Sequence, residues 1–363
     1  MGFTIPRFTP PDFSKMQFSQ APDAKLMPAP KDTVAPERYH ATTIFPEYFK
    51  IGGRWLLAEE SRMDCVAVYE NGTIAIREFR RLKKGDLVVV GRTEDASEGI
   101  YVYPDGFLAR TEGTAEAFSF RQSRSRETAY SRDYDSLYDL LRYEKEHGFV
   151  TWVLGPACAF DQNSRSAFSK LVENGYVHAL LAGNALATHD LEAGYKKTAL
   201  GQDIYTQISQ PGGHYNHIDT INRVRLAGSI PAFIKEEGIR DGIIYSCVGS
   251  KVPFVLVGSI RDDGPLPEVY SNVYEGQNAM RECVKKSTTV ICMATTLHSI
   301  ATGNMTPSYR VTEDGTVRPV YFYSVDVSEF SVNKLRDRGS LGVKTIVTNV
   351  QDFVVNVSKG LGL

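Results

Sequence analysis

Between residues 149 and 347 the chain repeats a single pattern: a short apolar run, a turn, then a longer stretch of helical period. The runs fall at 149–154, 177–181, 242–246, 252–257, 289–293, 319–325 and 345–347. Helix-like segments fall at 135–147, 164–174, 218–226, 276–286 and 330–338. A strand that is apolar without alternation is buried on both faces, and strands joined through helices run parallel. The pattern predicts an α/β fold built on a parallel sheet with helices on both sides.

Residues 39–120 read differently. Short β-branched or aromatic runs at 66–69, 73–79, 86–90 and 99–103 are punctuated by Asn71-Gly72, Lys84-Gly85 and Pro104-Asp105-Gly106. Close spacing of strands and turn signals predicts a small barrel or sandwich. Ahead of it lies a proline-rich stretch without helical period, expected to be an extended arm packed on the body or on a neighbouring subunit. A chain of 363 residues exceeds one ordinary core. The expected division is an arm over 1–37, a β domain over 38–125 and an α/β catalytic domain over 126–363.

A net charge of −2, with basic clusters that are short and interrupted, argues against nucleic-acid or anionic-membrane partners. No run approaches the roughly 20 apolar residues of a membrane helix, and the N-terminus has no apolar core of a signal peptide. The five cysteines include no Cys-x-x-Cys pair. They read as buried free thiols in a reducing, cytoplasmic setting.

In open parallel sheets ligands bind at the carboxyl ends of strands. That rule selects Gly155-Pro156, then Gly183-Asn184-Ala185 with His189 and Asp190 beyond. It also selects Ser259 to Gly264, the stretch from Ala294 to Gly303-Asn304, and Asp326. Glycines there allow close backbone approach to phosphates, and an acid after a strand can accept from ribose hydroxyls. No Gly-x-Gly-x-x-Gly fingerprint is present, so a plain Rossmann dehydrogenase does not follow. Arg261-Asp262-Asp263 fits ligand contacts or a surface turn. His189, His214, His217 and His298 are acid–base candidates. His214 and His217 lack an evident third ligand, so no metal is expected.

From about Tyr39 onward the chain resembles the archaeal and cyanobacterial type of ornithine cyclodeaminase, also labelled LOR/SDH-like. The resemblance is carried by Met63-Asp64-Cys65, Ala179-Leu-Leu-Ala-Gly-Asn-Ala-Leu-Ala-Thr-His-Asp190, Gly258-Ser-Ile-Arg-Asp-Asp-Gly-Pro-Leu-Pro267, Leu297-His-Ser-Ile-Ala-Thr-Gly-Asn-Met305 and Asp337-Arg-Gly-Ser340. It implies a β domain followed by an NAD-binding domain of the deoxyhypusine-synthase type, assembled as a homodimer or homotetramer. The cofactor positions it implies are Asn184, Asp263, Gly264, Gly303, Asn304 and Asp326, beside Gly155, Pro156, Ala185, Asp190 and Ser259 from the strand-end rule. Longer members carry an arginine-hydrolysing module, so a complete route from arginine is not expected here. No lysine lies between Lys286 and Lys334, which argues against a lysine-imine transfer.

The implied reaction turns a small amino acid, L-ornithine, into L-proline and ammonia on recycled NAD. Arg261 or Arg225 could clamp the substrate carboxylate, and Asp262 or Asp263 could receive the δ-ammonium. Cys65 and Asp64 could close the pocket, with His189 and His298 as acid–base groups. A net amino-acid dehydrogenase or imine reductase, and a non-catalytic NAD-binding regulator, are the alternatives. The choice among ornithine, lysine and their analogues stays open at this level.

Overall fold

The computed structural model describes residues 3–107, 131–262, 264–336 and 343–363. The proline-rich arm is built into the body. It holds one turn of helix, α1 (Met16–Ser19), and an edge strand, β1 (Lys25–Pro28). Then follow β2 (Glu47–Ile51), β3 (Arg54–Leu57), β4 (Val66–Glu70), β5 (Thr73–Arg77), β6 (Leu87–Val90) and β7 (Ile100–Val102). They form two antiparallel sheets, β1-β6-β4-β5 and β3-β2-β7. Phe49 and Ile100 of one sheet meet Ala67, Ile74 and Val89 of the other, so the module is a sandwich. Asn71 and Gly72 both take positive φ (50° and 86°), the geometry of a two-residue turn between β4 and β5. Lys50 fastens the arm by donating to the carbonyls of Phe18, Ser19 and Ala21.

The second part runs α2 (Ser131–His147), β8 (Val150–Leu154), α3 (Gln162–Glu173), β9 (Ala179–Gly183) and α4 (Asn184–Lys196). A hairpin of β10 (Thr198–Ala199) and β11 (Gln202–Asp203) leads to α5 (Asn216–Ala227), α6 (Ile230–Glu236) and α7 (Ile243–Gly249). Next come β12 (Phe254–Val257), β13 (Val269–Tyr270), α8 (Val273–Val284), β14 (Thr289–Met293) and α9 (Thr296–Met305). A second hairpin, β15 (Tyr309–Val311) and β16 (Val317–Pro319), precedes β17 (Tyr321–Asp326), α10 (Glu329–Arg336), β18 (Val343–Val347) and α11 (Val350–Gly360). The seven-stranded sheet has the order β13-β12-β9-β8-β14-β17-β18, and every pair is parallel.

The two-residue period divides the core. Trp152, Leu154, Ile291 and Met293 face one apolar layer, and Val153, Val290 and Cys292 face the other. Both β8 and β14 are buried along their whole length, as predominantly apolar runs without alternation require.

Residues 242–246, read above as a strand, are the start of α7. A short apolar run carries no period that separates a strand from a buried helix. Here Gly242 (φ 120°) turns the chain, and the Asp190 carboxylate accepts from the amides of Ile243 and Ile244. Among the described residues no helix is long and apolar enough to cross a membrane.

Candidate active site

The sheet order reverses between β8 and β14, adjacent strands whose outgoing connections leave in opposite directions. A parallel sheet opens a crevice at such a switch point. The Gly155 amide donates to the Met293 carbonyl at 2.8 Å. A Cβ on Gly155 would lie 1.8 Å from the Ala294 carbonyl oxygen, so glycine is required there. Ala294 takes φ 52°, and its amide donates to Val325 of β17. Across the crevice, a Cβ on Gly183 would stand 3.0 Å from Cε1 of His298.

Three helical segments begin at this edge: the 3-10 turn Pro156–Ala159, α4 directly after Gly183, and α9 after Thr295. Their free amides suit an anion such as a diphosphate. The cleft has a volume of about 580 Å³, within the range of ligand sites. Gly155, Pro156, Asn184, Ala185, Ser259, Arg261, Asp262 and His298 line it. Bare glycine walls and converging amides fit the diphosphate of a dinucleotide.

The loop after β12 is fixed by its own acid: Asp262 Oδ2 accepts from the Ser259 amide at 2.8 Å. Asn184 Oδ1 accepts from Leu266 N at 3.1 Å, holding the far end of the loop against α4. At Gly264 (φ 108°) an added Cβ would stand 3.0 Å from Nη1 of Arg225. Arg261 is exposed at the mouth. His298 is half-buried, and burial holds its imidazole below the ordinary value despite its bond to the Val257 backbone and the Asp262 charge. It is neutral at neutral pH and can accept a proton.

Other expected site residues lie elsewhere. Asp190 is buried, held by Arg165 and the α7 amides, and is not among the residues lining the cleft. His189 is also buried, with Nδ1 3.0 Å from Glu192. That carboxylate organises the β10–β11 hairpin through Thr198, Leu200 and Gly201. Gly303 and Asn304, expected in a strand-end loop, form the last turn of α9. Cys65 is buried in the β module, where burial pushes its thiol up to about 11, so it stays protonated at neutral pH. It lines a smaller cavity with Asp64 and Asn304. Asp326 caps β17 at the same sheet edge, accepting from Ser328 N. Asp263 and Asp337 to Ser340 lie outside the described residues. The starts of α4 and α9 were missed as helices. Thr295-Thr296 after an apolar strand is the helix-start signal that could have revealed α9.

Residues 137–357 match the family model described as "Arginine dihydrolase ArgZ-like, C-terminal, Rossmann fold", and residues 46–129 its "C-terminal, first region". The chain is 38% identical over 338 residues to the ornithine cyclodeaminase of Methanocaldococcus jannaschii, covering 92% of this chain and 76% of the relative. It belongs to the ArgZ-like ornithine cyclodeaminase family. A solved family member, the LOR/SDH protein of Methanococcus maripaludis S2, superposes with a TM-score of 0.83 at 34% identity, covering 94% of this chain and 98% of that one. AgrE in ternary complex with ornithine and NAD+ superposes with a TM-score of 0.60 at 32% identity, over 94% of this chain and 46% of AgrE. In this chain the β8–β14 cleft is the candidate NAD-binding site.

Proposed function

We propose that this protein is an NAD-dependent ornithine cyclodeaminase that converts L-ornithine to L-proline and ammonia. The observation that carries this reading is the β8–β14 crevice, where Gly155 and Ala294 leave no room for a side chain and three helical segments begin. Bound there, NAD+ supplies a reversible acceptor for the α-hydride, so that the δ-nitrogen displaces the α-nitrogen as ammonia with no net oxidation.

The chain's own groups do the rest. Amides at the starts of α4 and α9 hold the diphosphate. Arg261 at the mouth, or Arg225 beside Gly264, pairs the substrate carboxylate. The neutral imidazole of His298 takes the proton from the α-ammonium, and the charge of Asp262 nearby favours the imidazolium that results. Asp326 at the end of β17 supports the adenosine ribose, and Asp263 receives the δ-ammonium in the same reading.

The domain boundaries at 37/38 and 125/126, the deoxyhypusine-synthase likeness of the second domain, a cytoplasmic location and a place in proline formation belong to this proposal too. So does a homodimer or homotetramer. Ile260, Leu297, Val327 and Phe330 are all exposed near the strand ends, an apolar rim that a second copy would cover.

The test is to feed purified protein L-ornithine and NAD+ while following proline, ammonia and NADH. Proline and ammonia in equal amounts without net NADH support the cyclodeaminase. Accumulating NADH would overturn it in favour of a dehydrogenase, and product from lysine alone would change the substrate.

A further inference from the structure

Thr295 stands at the N-cap of α9 with extended backbone, yet its side chain makes no capping bond. A threonine in that position ordinarily accepts from an amide two or three residues further on. Here Oγ1 lies instead 3.5 Å from Nδ1 of His298, in the first turn of the same helix. Both residues line the cleft. Their places are set by the glycines of the crevice: Thr295 N would stand 3.2 Å from a Cβ on Gly155, and His298 packs over Gly183. Neighbouring hydroxyls of the cleft are engaged elsewhere. Thr296 meets Ser331 of α10 at 3.2 Å, and Ser259 accepts from the Arg261 amide.

The two ring nitrogens of His298 face different partners. Nε2 lies 3.6 Å, and the Val257 carbonyl oxygen 3.7 Å, from the same Cβ position on Gly183. The ring is hydrogen-bonded to that Val257 backbone. A carbonyl only accepts, so in the neutral ring Nε2 carries the proton and Nδ1 the lone pair. The basic nitrogen is therefore the one beside Thr295. A hydroxyl donates and accepts at once, which is what passing a proton requires. The contact of 3.5 Å is long, as hydrogen bonds of an empty site are before substrate draws them in.

We propose that Thr295 is a catalytic proton relay between the α-nitrogen of the substrate and His298. The inference rests on the reading of His298 as the base and adds the group through which it acts. The α-ammonium gives a proton to Oγ1 while the proton already on Oγ1 passes to Nδ1. A neutral amine, an intact hydroxyl and an imidazolium result. When the α-nitrogen departs it keeps the electron pair of its bond to carbon. The same path in reverse returns the proton to it, so it leaves as neutral ammonia and the ring is neutral again.

The experiment follows proline formation from L-ornithine and NAD+ by the full-length protein. Wild type is compared with Thr295→Val, Thr295→Ser, His298→Asn and the double variant Thr295→Val/His298→Asn. Valine keeps the branched shape and removes the hydroxyl. Since no capping bond is lost, the melting temperature should match wild type. Thr295→Ala is run beside it so that crowding by valine cannot imitate the loss. Turnover of Thr295→Val should fall about 10²-fold, with NAD+ affinity within about twofold of wild type. Serine returns a hydroxyl on the same carbon and should restore turnover to within about fivefold of wild type. Two groups on one path give non-additive losses, so the double variant should be no slower than the slower single one.

Normal turnover in the valine and alanine variants, or losses that multiply in the double variant, overturns the relay and leaves the reaction standing. So does a serine variant as slow as valine. An NAD+ affinity reduced by about tenfold or more in Thr295→Val also overturns it, making the hydroxyl a cofactor contact. Wild-type protein that makes no proline defeats the reaction, and the relay with it.

Discussion

The guanidinium of Arg165 and the carboxylate of Asp190 meet at 2.9 Å with side-chain exposures of 0% and 1%. Both Asp190 oxygens also accept α7 amides, at 3.0 and 2.8 Å. Removing one partner of a buried pair costs about 3–5 kcal/mol, because the other is left charged and unpaired. Asp190→Asn should therefore lower thermal stability strongly while leaving NAD+ affinity unchanged in the protein that remains folded. Calorimetry below the melting transition checks this, and a large affinity loss there would return Asp190 to the cofactor.

Gly155→Ala tests the crevice itself. The added methyl must displace the Ala294 carbonyl, and overpacking of this kind costs about 1–3 kcal/mol. Because the displaced segment also begins α9, NAD+ should bind at least about tenfold more weakly while far-ultraviolet circular dichroism stays native. An alanine variant with wild-type affinity would remove Gly155 from the binding site.

His298 gives a pH signature. Its folded pKa is lowered from 6.5, first by burial. The unfolded chain then takes up the proton first as pH falls. The stability conferred by the neutral ring is complete above 6.5 and is lost on acidification through that value toward the folded one. The melting temperature of His298→Asn should fall less steeply than that of wild type on acidification from neutrality. His178, also lowered by burial, titrates in both proteins and cancels from the comparison. If His298 is the base, turnover drops by about 10²–10⁴; near-normal turnover would assign the proton to another group.

Glu78 should respond to acid in its own way. Burial pushes its carboxyl up, but the Arg62 guanidinium, with Arg281 behind it, outweighs this and brings it to about 2. A depressed folded value means stability that is present above 4.5 and lost as pH falls toward 2. Glu78→Gln should be less stable than wild type at neutral pH by an amount on the order of 2 kcal/mol. Denaturant unfolding at stepped pH should show the gap closing on acidification; a constant gap would mean that packing, not charge, explains it.

The parallel sheet was legible because β8, β9, β12, β14 and β17 are predominantly apolar without a two-residue alternation, and no solvated strand looks like that. The strand-end rule then reached Gly155, Asn184, Ser259, Asp262 and His298. It failed where contacts across the fold decide: 242–246 is a helix because Asp190, far away in sequence, accepts from its first amides. The same long-range fact took Asp190 out of the cleft. Gly303 and Asn304 were misplaced because α9 follows β14 almost at once, leaving no loop to hold them. Nor could the sequence place Arg62 beside Arg281, since that pairing crosses between the β module and α8.

Phe149 at the base of β8 hydrogen-bonds Thr288 at the base of β14, 139 residues further along. During synthesis at about 5–20 residues per second, β8 waits roughly ten seconds for that neighbour. Through that interval a strand with no polar face has one edge bare, a template for pairing with other nascent chains. The cofactor cannot help then, since half of its crevice has not left the ribosome. Yield in a cell should therefore depend on chaperones that shield the growing chain more than on the supply of nicotinamide.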